Sequence, residues 1–341
     1  MYPLAGRTIR KDVYIIMIPQ FSEDVNKKID KATNFRKLSS CLGAAYAMQS
    51  TPADVKRAGR VMECGTYIAG DIVQVEDKQL LKITHANFCK VRLCPMCQWR
   101  RAAKVQTQML QVFDLLRPQK YRYLLLTLTI PNPDGEHLKD KVDEMHKAWD
   151  KLTKRREVKR VLQGFYRSLE VTHNVDKNTY HPHFHAILVV NRNYFTKNYI
   201  TRDSWLEMWQ QSMNDSSITQ VDIRPLKTDT EASLMKSLQE TCKYICKPAG
   251  LLDPGDMDLT AEVVGYVHKA LEKRRLIAFG GVFKDARKTL GCTSVEGANA
   301  DLSDSSTGKG DKLAEVCFIW HSGLSQYRVR SYDSTNGGDS T

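Results

Sequence analysis

Three histidines at alternating positions suggest that this chain binds a metal. His181, His183 and His185 occur in the segment HPHFH, directly before the aliphatic run of residues 186–190. Alternate side chains of a β-strand lie on one face, so an extended conformation would point the three imidazoles the same way. Imidazole binds divalent metals, and His183 and His185 are the strongest candidates. Such histidines also form plain local hydrogen bonds, and His181 can be a ligand or a partner that orients one.

A carboxylate on a preceding strand can complete this metal site. Residues 165–172 (FYRSLEVT) favour a strand, and residues 174–179 form a polar turn before the histidines. The pattern predicts a β-hairpin in which Glu170 lies near His183 and His185 and supplies an oxygen ligand. A metal held there would act as a Lewis acid on a phosphate.

A second reactive group is predicted on a helix further along the chain. Glu240, Lys243, Tyr244 and Lys247 share one helical face, because residues three, four and seven apart nearly align. A phenol has a pKa of about 10, so a tyrosine nucleophile needs nearby cations to favour its phenolate. Glu240 lies one turn earlier and can accept a proton. Tyrosines on helices usually only pack, and Glu–Lys pairs stabilise helices. Only the combination with a metal therefore suits cutting a phosphodiester and holding the cut end covalently.

Four cysteines are spaced as in a zinc site. Cys89, Cys94 and Cys97 lie within nine residues, and Cys64 precedes them. A Cys-x2-Cys pair with two further soft ligands suits tetrahedral Zn²⁺ in a structural role. His85 is an alternative to Cys64 as fourth ligand, and buried thiols without a metal are the alternative to the whole site. The basic residues flanking the cluster can contact phosphates; they are Lys90, Arg92, Arg100 and Arg101.

The elements that must hold these groups are typical of an α+β protein. Strands are predicted at residues 121–130, 165–172, 184–190 and 220–224 from apolar and β-branched runs. Helices are predicted at 98–116, 138–162, 199–212, 230–246 and 259–271 from apolar periodicity. The pattern predicts an antiparallel sheet of about five strands with helices packed on it, preceded by the small cysteine-rich region.

The composition favours a polyanionic partner. The 341-residue chain has a formal net charge of +12, which makes nucleic acid the leading candidate. No apolar run approaches the ~20 residues that span a bilayer, and the first residues lack the apolar stretch of a secretory signal. We therefore expect a cytoplasmic location and no membrane partner. The odd number of cysteines, nine, fits metal-bound or free thiols rather than disulfides.

Three segments, in this order, resemble the motifs of rolling-circle replication initiators. They are residues 125–132 (LLTLTIPN), residues 181–185 (HPHFH), and Glu240-x3-Tyr244. The group resembled is the plasmid replication (Rep) proteins typical of Gram-positive bacteria, within the HUH endonuclease superfamily. The segments at 88–97 and 168–172 also resemble that group, and the resemblance covers roughly residues 55 to 290.

The resemblance implies a role for each motif. Tyr244 would attack a DNA phosphate and leave a 5′-phosphotyrosine with a free 3′-OH that primes synthesis. Glu240 would activate water to help end the cycle, and an HUH-type sheet would hold Mn²⁺ or Mg²⁺. The DNA substrate would be the single-stranded or hairpin nick site of a replication origin. No Gly-x4-Gly-Lys-[Ser/Thr] segment occurs, so a host helicase is expected to unwind the DNA. The oligomeric state stays open, with a homo-oligomer as one option.

We expect four regions along the chain. They are an N-terminal helical region of unknown role (1–60), a cysteine-rich zinc and DNA-contact region (61–117), the HUH endonuclease domain (118–290), and a flexible linker and tail (291–341) with a small strand pair near 314–330. The expected function is origin-specific nicking and strand transfer that starts and ends rolling-circle replication of a plasmid. Alternatives are the same chemistry for an integrative element, phage or transposon, and a zinc-containing DNA-binding regulator without catalysis.

Overall fold

The computed structural model describes residues 21–228, 230–241, 250–297, 299–304 and 310–334. The predictions for Lys243, Tyr244 and Lys247, and for the side chain of Glu240, fall outside the described residues. The helices within these ranges are α1 (Glu23–Met48), α2 (Pro52–Met62), α3 (Pro95–Leu116), α4 (Gly135–Lys154), α5 (Arg156–Val161), α6 (Tyr194–Lys197), α7 (Arg202–Met213), α8 (Glu231–Thr241), α9 (Met257–Leu271) and α10 (Val282–Thr289). The strands are β1 (Tyr67–Val75), β2 (Lys78–Ala86), β3 (Arg122–Thr129), β4 (Leu162–Asn174), β5 (Thr179–Val190), β6 (Val221–Pro225), β7 (Ile277–Gly281), β8 (Asp311–His321) and β9 (Gln326–Ser334).

Polar N-cap side chains set where several helices begin. An N-cap oxygen accepts a hydrogen bond from an amide of the first turn, which otherwise has no partner. The caps of α1, α2, α4, α7 and α9 are Ser22, Thr51, Asp134, Thr201 and Asp256. These local signals fix the start of the helices that pack on the sheet.

The five-stranded antiparallel sheet confirms the predicted α+β architecture. Its strand order is β6-β3-β5-β4-β7, so the histidine-bearing β5 lies at the centre. Trp149 of α4 contacts Phe165 of β4 and Phe184 of β5, with ring centroids 5.1 and 5.9 Å away. Since Phe184 alternates with His183 and His185 along β5, α4 covers the face opposite the histidines.

A second antiparallel sheet joins the two ends of the described chain. Its order is β2-β1-β8-β9, and Ile68 of β1 lies opposite Phe318 of β8. The strand pair predicted near residues 314–330 is present, as β8 and β9. The sequence did not predict which strand this pair joins: β8 is held by β1, a partner some 240 residues earlier in the sequence. No local pattern reveals such a partner.

The segment 299–304 is anchored as well. Asp304 accepts hydrogen bonds from the buried Arg100 of α3, from Lys28 of α1 and from the Ile83 amide of β2. This polar stretch was expected to be part of a flexible linker, but the buried Arg100 and the partly buried Lys28 hold it in place. The boundaries at residues 60, 117 and 290 stay a prediction. No helix among the described residues is long and apolar enough to cross a membrane.

Candidate functional site

The β4–β5 hairpin brings the predicted metal ligands together. In its register Glu170 lies opposite His183, and Ser168 lies opposite His185. Residues directly opposite each other in an antiparallel pair project from the same face of the sheet. Glu170, His183 and His185 therefore converge on the face of β5 that α4 leaves uncovered.

The distances within this group fit one bound cation. Glu170 Oε2 lies 3.2 Å from His183 Nε2 and 3.0 Å from His185 Nε2, and the two Nε2 atoms are 3.0 Å apart. Octahedral bonds of about 2.1 Å place neighbouring ligand atoms about 3.0 Å from each other. The three atoms thus match one face of an octahedron. Glu170 and His183 are buried and His185 is partly exposed, so the remaining positions open toward solvent.

Hydrogen bonds orient both imidazoles toward this point. His183 Nδ1 lies 3.1 Å from the His181 carbonyl oxygen, and His185 Nδ1 lies 3.3 Å from Thr127 Oγ1. A partner at Nδ1 leaves the Nε2 lone pair for a metal. The His181 ring is not among the three ligand residues; its Nδ1 lies 2.8 Å from Asn132 Oδ1.

The local charges keep Glu170 ionised. Burial on its own raises the pKa of this carboxyl, but hydrogen bonds and charge interactions with His183 and His185 outweigh burial and lower the pKa to about 2. Burial also lowers the pKa of His181, and His183 adds to that lowering. The group is therefore an anionic oxygen donor beside two imidazoles, a donor set that suits a divalent cation.

The end of α8 lies beside the same face. Ser168 Oγ donates a hydrogen bond to the Thr241 carbonyl oxygen at 3.1 Å, and Ser168 is the residue opposite His185. A small cavity of about 180 Å³ is lined by Thr241 and His185 together with Thr127 and Arg224. The described part of α8 therefore ends, at Thr241, next to the group of Glu170, His183 and His185.

The four predicted cysteines also converge. Sγ distances are 3.6 Å for Cys64–Cys97, 3.7 Å for Cys89–Cys97 and 3.5 Å for Cys94–Cys64. Tetrahedral zinc with Zn–S bonds of about 2.3 Å requires sulfurs about 3.8 Å apart. His85 lies on β2 outside this group, so the geometry favours Cys64 as the fourth member.

Backbone amides complete the surroundings of the sulfurs. The amides of Cys89, Lys90 and Val91 donate to Cys64 Sγ at 3.3 Å, Cys97 Sγ at 3.2 Å and Cys89 Sγ at 3.4 Å. Lys90 takes a left-handed conformation with φ of 58°, which turns the loop tightly around the group. Such N–H donors stabilise thiolates that bind a metal.

Two of the flanking arginines are structural rather than free for phosphates. Arg100 is buried and pairs with Asp304 at 2.6 Å. Arg101 is also buried, and its guanidinium donates to the carbonyl oxygens of residues 90–92. Their positions on the inner face of α3 explain the difference, because helical spacing alone does not tell which face a long cation follows.

Thr127, Ser168 and Asn132 support the site but were not singled out from the sequence. Thr127 and Asn132 lie in the segment that resembles the first family motif, and Ser168 begins the segment that resembles the Glu170 region. The alternation of β3 places Thr127 opposite His185. That strand parity is the signal that identifies Thr127 as a partner of the histidine.

Comparisons with known proteins identify a family and several relatives of this chain. The family described as "Replication protein" matches residues 80–328. "Protein rep" of Streptococcus pneumoniae serotype 2 (strain D39 / NCTC 7466) is 35% identical over 277 residues, which cover 80% of this chain and 84% of that protein. "Protein rep" of Bacillus amyloliquefaciens is 34% identical over 315 residues, 88% of this chain and 90% of that protein. No solved structure matches significantly. Since the family matches most of its length and it covers 84% and 90% of these two relatives, the chain belongs to the replication protein (Rep) family.

Proposed function

We propose that this protein starts plasmid rolling-circle replication by nicking one strand of the origin and linking itself to the cut end through Tyr244. The observation that carries the proposal is the Glu170, His183 and His185 group beside the end of α8. Membership of the Rep family supports a role in replication. The basic chain, with a net charge of +12, suits a DNA substrate and the predicted cytoplasmic location.

Chain length supports Tyr244 as the nucleophile. Thr241 contacts Ser168 beside the metal group, and Tyr244 follows only three residues later. Three residues of chain span at most about 11 Å, so a nucleophile this close to Thr241 in the sequence suits chemistry at the Glu170, His183 and His185 group. Lys243 and Lys247 would favour the phenolate, which is the reactive form of the side chain.

The proposed first step exchanges one phosphate ester for another. Glu170, His183 and His185 would hold Mn²⁺ or Mg²⁺, which would polarise a phosphate oxygen. The Tyr244 oxygen forms a bond to the scissile phosphorus as it loses its proton, and the bond from phosphorus to the 3′ oxygen breaks. The 3′ oxygen takes up a proton and becomes the 3′-OH that primes synthesis. His181 would act through its carbonyl, which orients His183.

Glu240 would serve at the end of the cycle. It lies one residue before Thr241 in α8 and one turn before Tyr244 in the sequence. A carboxylate there can take a proton from water that attacks the phosphotyrosine phosphorus, which releases the enzyme. Water has a far higher pKa than a phenol and therefore needs this base more.

The cysteine group would hold a structural zinc ion. Cys64, Cys89, Cys94 and Cys97 connect the end of α2, the loop after β2 and the start of α3. All four cysteines fall within the predicted zinc region (61–117), so the metal would staple that region, which precedes the predicted nuclease domain (118–290). A host helicase would unwind the origin, and a homo-oligomer remains compatible with this scheme.

Nicking of a supercoiled plasmid that carries the origin tests the function. With Mn²⁺ or Mg²⁺ the wild-type protein should convert it to the open circle and remain attached to DNA. His185→Ala should reduce nicking at least 100-fold, because one ligand of three is lost. His173→Ala, on the same hairpin but outside the group, is the matched control and should nick normally.

Tyr244→Phe separates this function from that of a DNA-binding regulator. The variant should bind the origin as the wild type does and form no adduct. Normal nicking by Tyr244→Phe, or metal-independent nicking by the wild type, would contradict the proposal.

A further inference from the structure

A basic cavity lies at the edge of the five-stranded sheet, outside the groups described so far. Its volume is about 560 Å³, and it is bounded by β7, the start of α10 and the segment 294–297. Six cations line it, namely Arg92, Lys273, Arg274, Arg275, Lys284 and Arg287. Glu296 is the one acidic residue among its described lining residues. Such an excess of positive charge in a concave site attracts anions.

Three of these cations have no ion-pair partner among the described residues. Arg274 pairs with Asp143, and Arg92 donates to the carbonyl oxygens of Leu271 and Arg274. By contrast, the exposed side chains of three residues make no ion pair within the described ranges; they are Lys273, Arg275 and Lys284. These three are therefore available for an external anion.

The remaining polar groups leave the cavity positive. The Glu296 carboxylate accepts hydrogen bonds from the Leu276 and Ile277 amides at 3.2 and 3.3 Å, so it satisfies backbone amides at the edge of the sheet. The Arg287 guanidinium lies 4.0 Å from the centre of the Phe279 ring. That ring face is covered by a cation, so the cavity favours phosphates over stacked bases.

Along the sheet, the cavity is close to the predicted metal ligands Glu170, His183 and His185. Ile277 lies opposite Ser168, and the Leu169 amide donates to the Leu276 carbonyl at 2.9 Å. Glu170 is two residues beyond Ser168 on β4. With strands about 4.8 Å apart and a rise of about 3.4 Å per residue, Ile277 and Glu170 are about 8 Å apart. The cavity is therefore close enough to the metal-binding group for one DNA strand to reach both.

We propose that this cavity binds backbone phosphates of the single DNA strand that flanks the scissile phosphate. The inference rests on the proposed function for the identity of the anion. A volume of 560 Å³ equals a cube about 8 Å wide, which admits one strand, whereas the major groove of a double helix alone is about 12 Å wide. Lys273, Arg275 and Lys284 supply the contacts, and sequence is not recognised here.

Salt-dependent binding to oligo-dT tests the proposal. The cavity variant carries three substitutions: Lys273→Gln, Arg275→Gln and Lys284→Gln. The control variant also loses two lysines and one arginine, but at exposed positions elsewhere: Lys56→Gln, Lys159→Gln and Arg330→Gln. The slope of log Kd against log salt should fall by about 2 in the cavity variant, since each phosphate contributes about 0.7. Single-strand affinity at low salt should fall at least tenfold. Superimposable thermal unfolding curves establish that both variants fold.

Failure of the cavity proposal can be told apart from failure of the nicking proposal, because oligo-dT binding needs no cleavage. An unchanged slope, an equal loss in the control, or a loss seen only with duplex DNA would overturn the cavity assignment. If wild-type protein forms no adduct with origin DNA but the cavity variant still loses its salt slope, the nicking proposal fails and the cavity assignment stands. A cavity variant that keeps adduct formation at saturating DNA supports both.

Discussion

Replacing Asp304 by asparagine removes a carboxylate that binds three donors from separate elements. Its oxygens accept from Arg100 Nη2 at 2.6 Å, Lys28 Nζ at 2.9 Å and the Ile83 amide at 2.8 Å. Arg100 is 1% exposed, so its charge cannot be solvated once the carboxylate is gone. Asp304→Asn keeps the shape of the side chain and leaves this buried cation without a counter-charge.

The size of the effect follows from the pKa of Asp304. Burial raises that pKa, but the charges of Arg100 and Lys28 outweigh burial and lower it to about 2. An unfolded aspartate has a pKa of about 3.9, and the difference of about 1.9 corresponds to about 2.6 kcal/mol. Breaking a buried pair costs about 3–5 kcal/mol in other proteins. We therefore expect Asp304→Asn to lower the free energy of unfolding by about 3 kcal/mol at pH 7.

Urea unfolding at several pH values is the assay. The folded pKa is depressed, so the stabilisation is fully present above about pH 3.9 and is lost as the pH falls through about 2. The difference between wild type and variant should be constant from pH 7 to 5 and fall to about half near pH 3. Asp114→Asn, which breaks an exposed pair with Arg117, is the control and should cost less than about 1 kcal/mol. A loss below about 1 kcal/mol for Asp304→Asn, or one that stays constant to pH 3, would refute the reasoning.

Three further outcomes are expected. Elemental analysis should find about one zinc per chain in wild-type protein and in Cys292→Ser, outside the group, and none in Cys94→Ser. In metal titrations followed by calorimetry, His185→Ala should bind Mn²⁺ at least tenfold more weakly. Gly281→Ala should lower the free energy of unfolding by about 2 kcal/mol or more, because φ is 52° and an added Cβ would meet the Gln163 carbonyl oxygen at 2.0 Å. Gly59→Ala, on an open helix surface, should instead be neutral or slightly stabilising in the same urea assay.

Local patterns were sufficient to predict the strands that carry Glu170, His183 and His185. The alternation of His183 and His185, and the polar turn before them, predicted a hairpin that the structure confirms, with Glu170 opposite His183. The alternation of side chains along a strand depends only on local backbone geometry, so it does not depend on the tertiary partners of the strand. The cysteine spacing likewise predicted a group whose four sulfurs converge.

Long-range partners were not predictable in the same way. The polar run before β8 looked like a linker because nothing in its own sequence reveals that Arg100 and Lys28 hold Asp304. The pairing of β8 with β1 joins residues some 240 positions apart. The burial of Arg100 and Arg101 depends on which face of α3 packs inward. Each of these features is set by tertiary packing, which overrides local propensity.

Mass spectrometry of the protein–DNA adduct tests the central claim most directly. Wild-type protein is incubated with Mn²⁺ and origin DNA, digested with nuclease and protease, and the modified peptide is sequenced. We expect a nucleotide joined through its 5′ phosphate to Tyr244, in the segment that follows Thr241 and its contact with Ser168. Tyr244→Phe should give no adduct. A phosphotyrosine at Tyr266 or any other residue, or efficient nicking with no adduct at all, would contradict it.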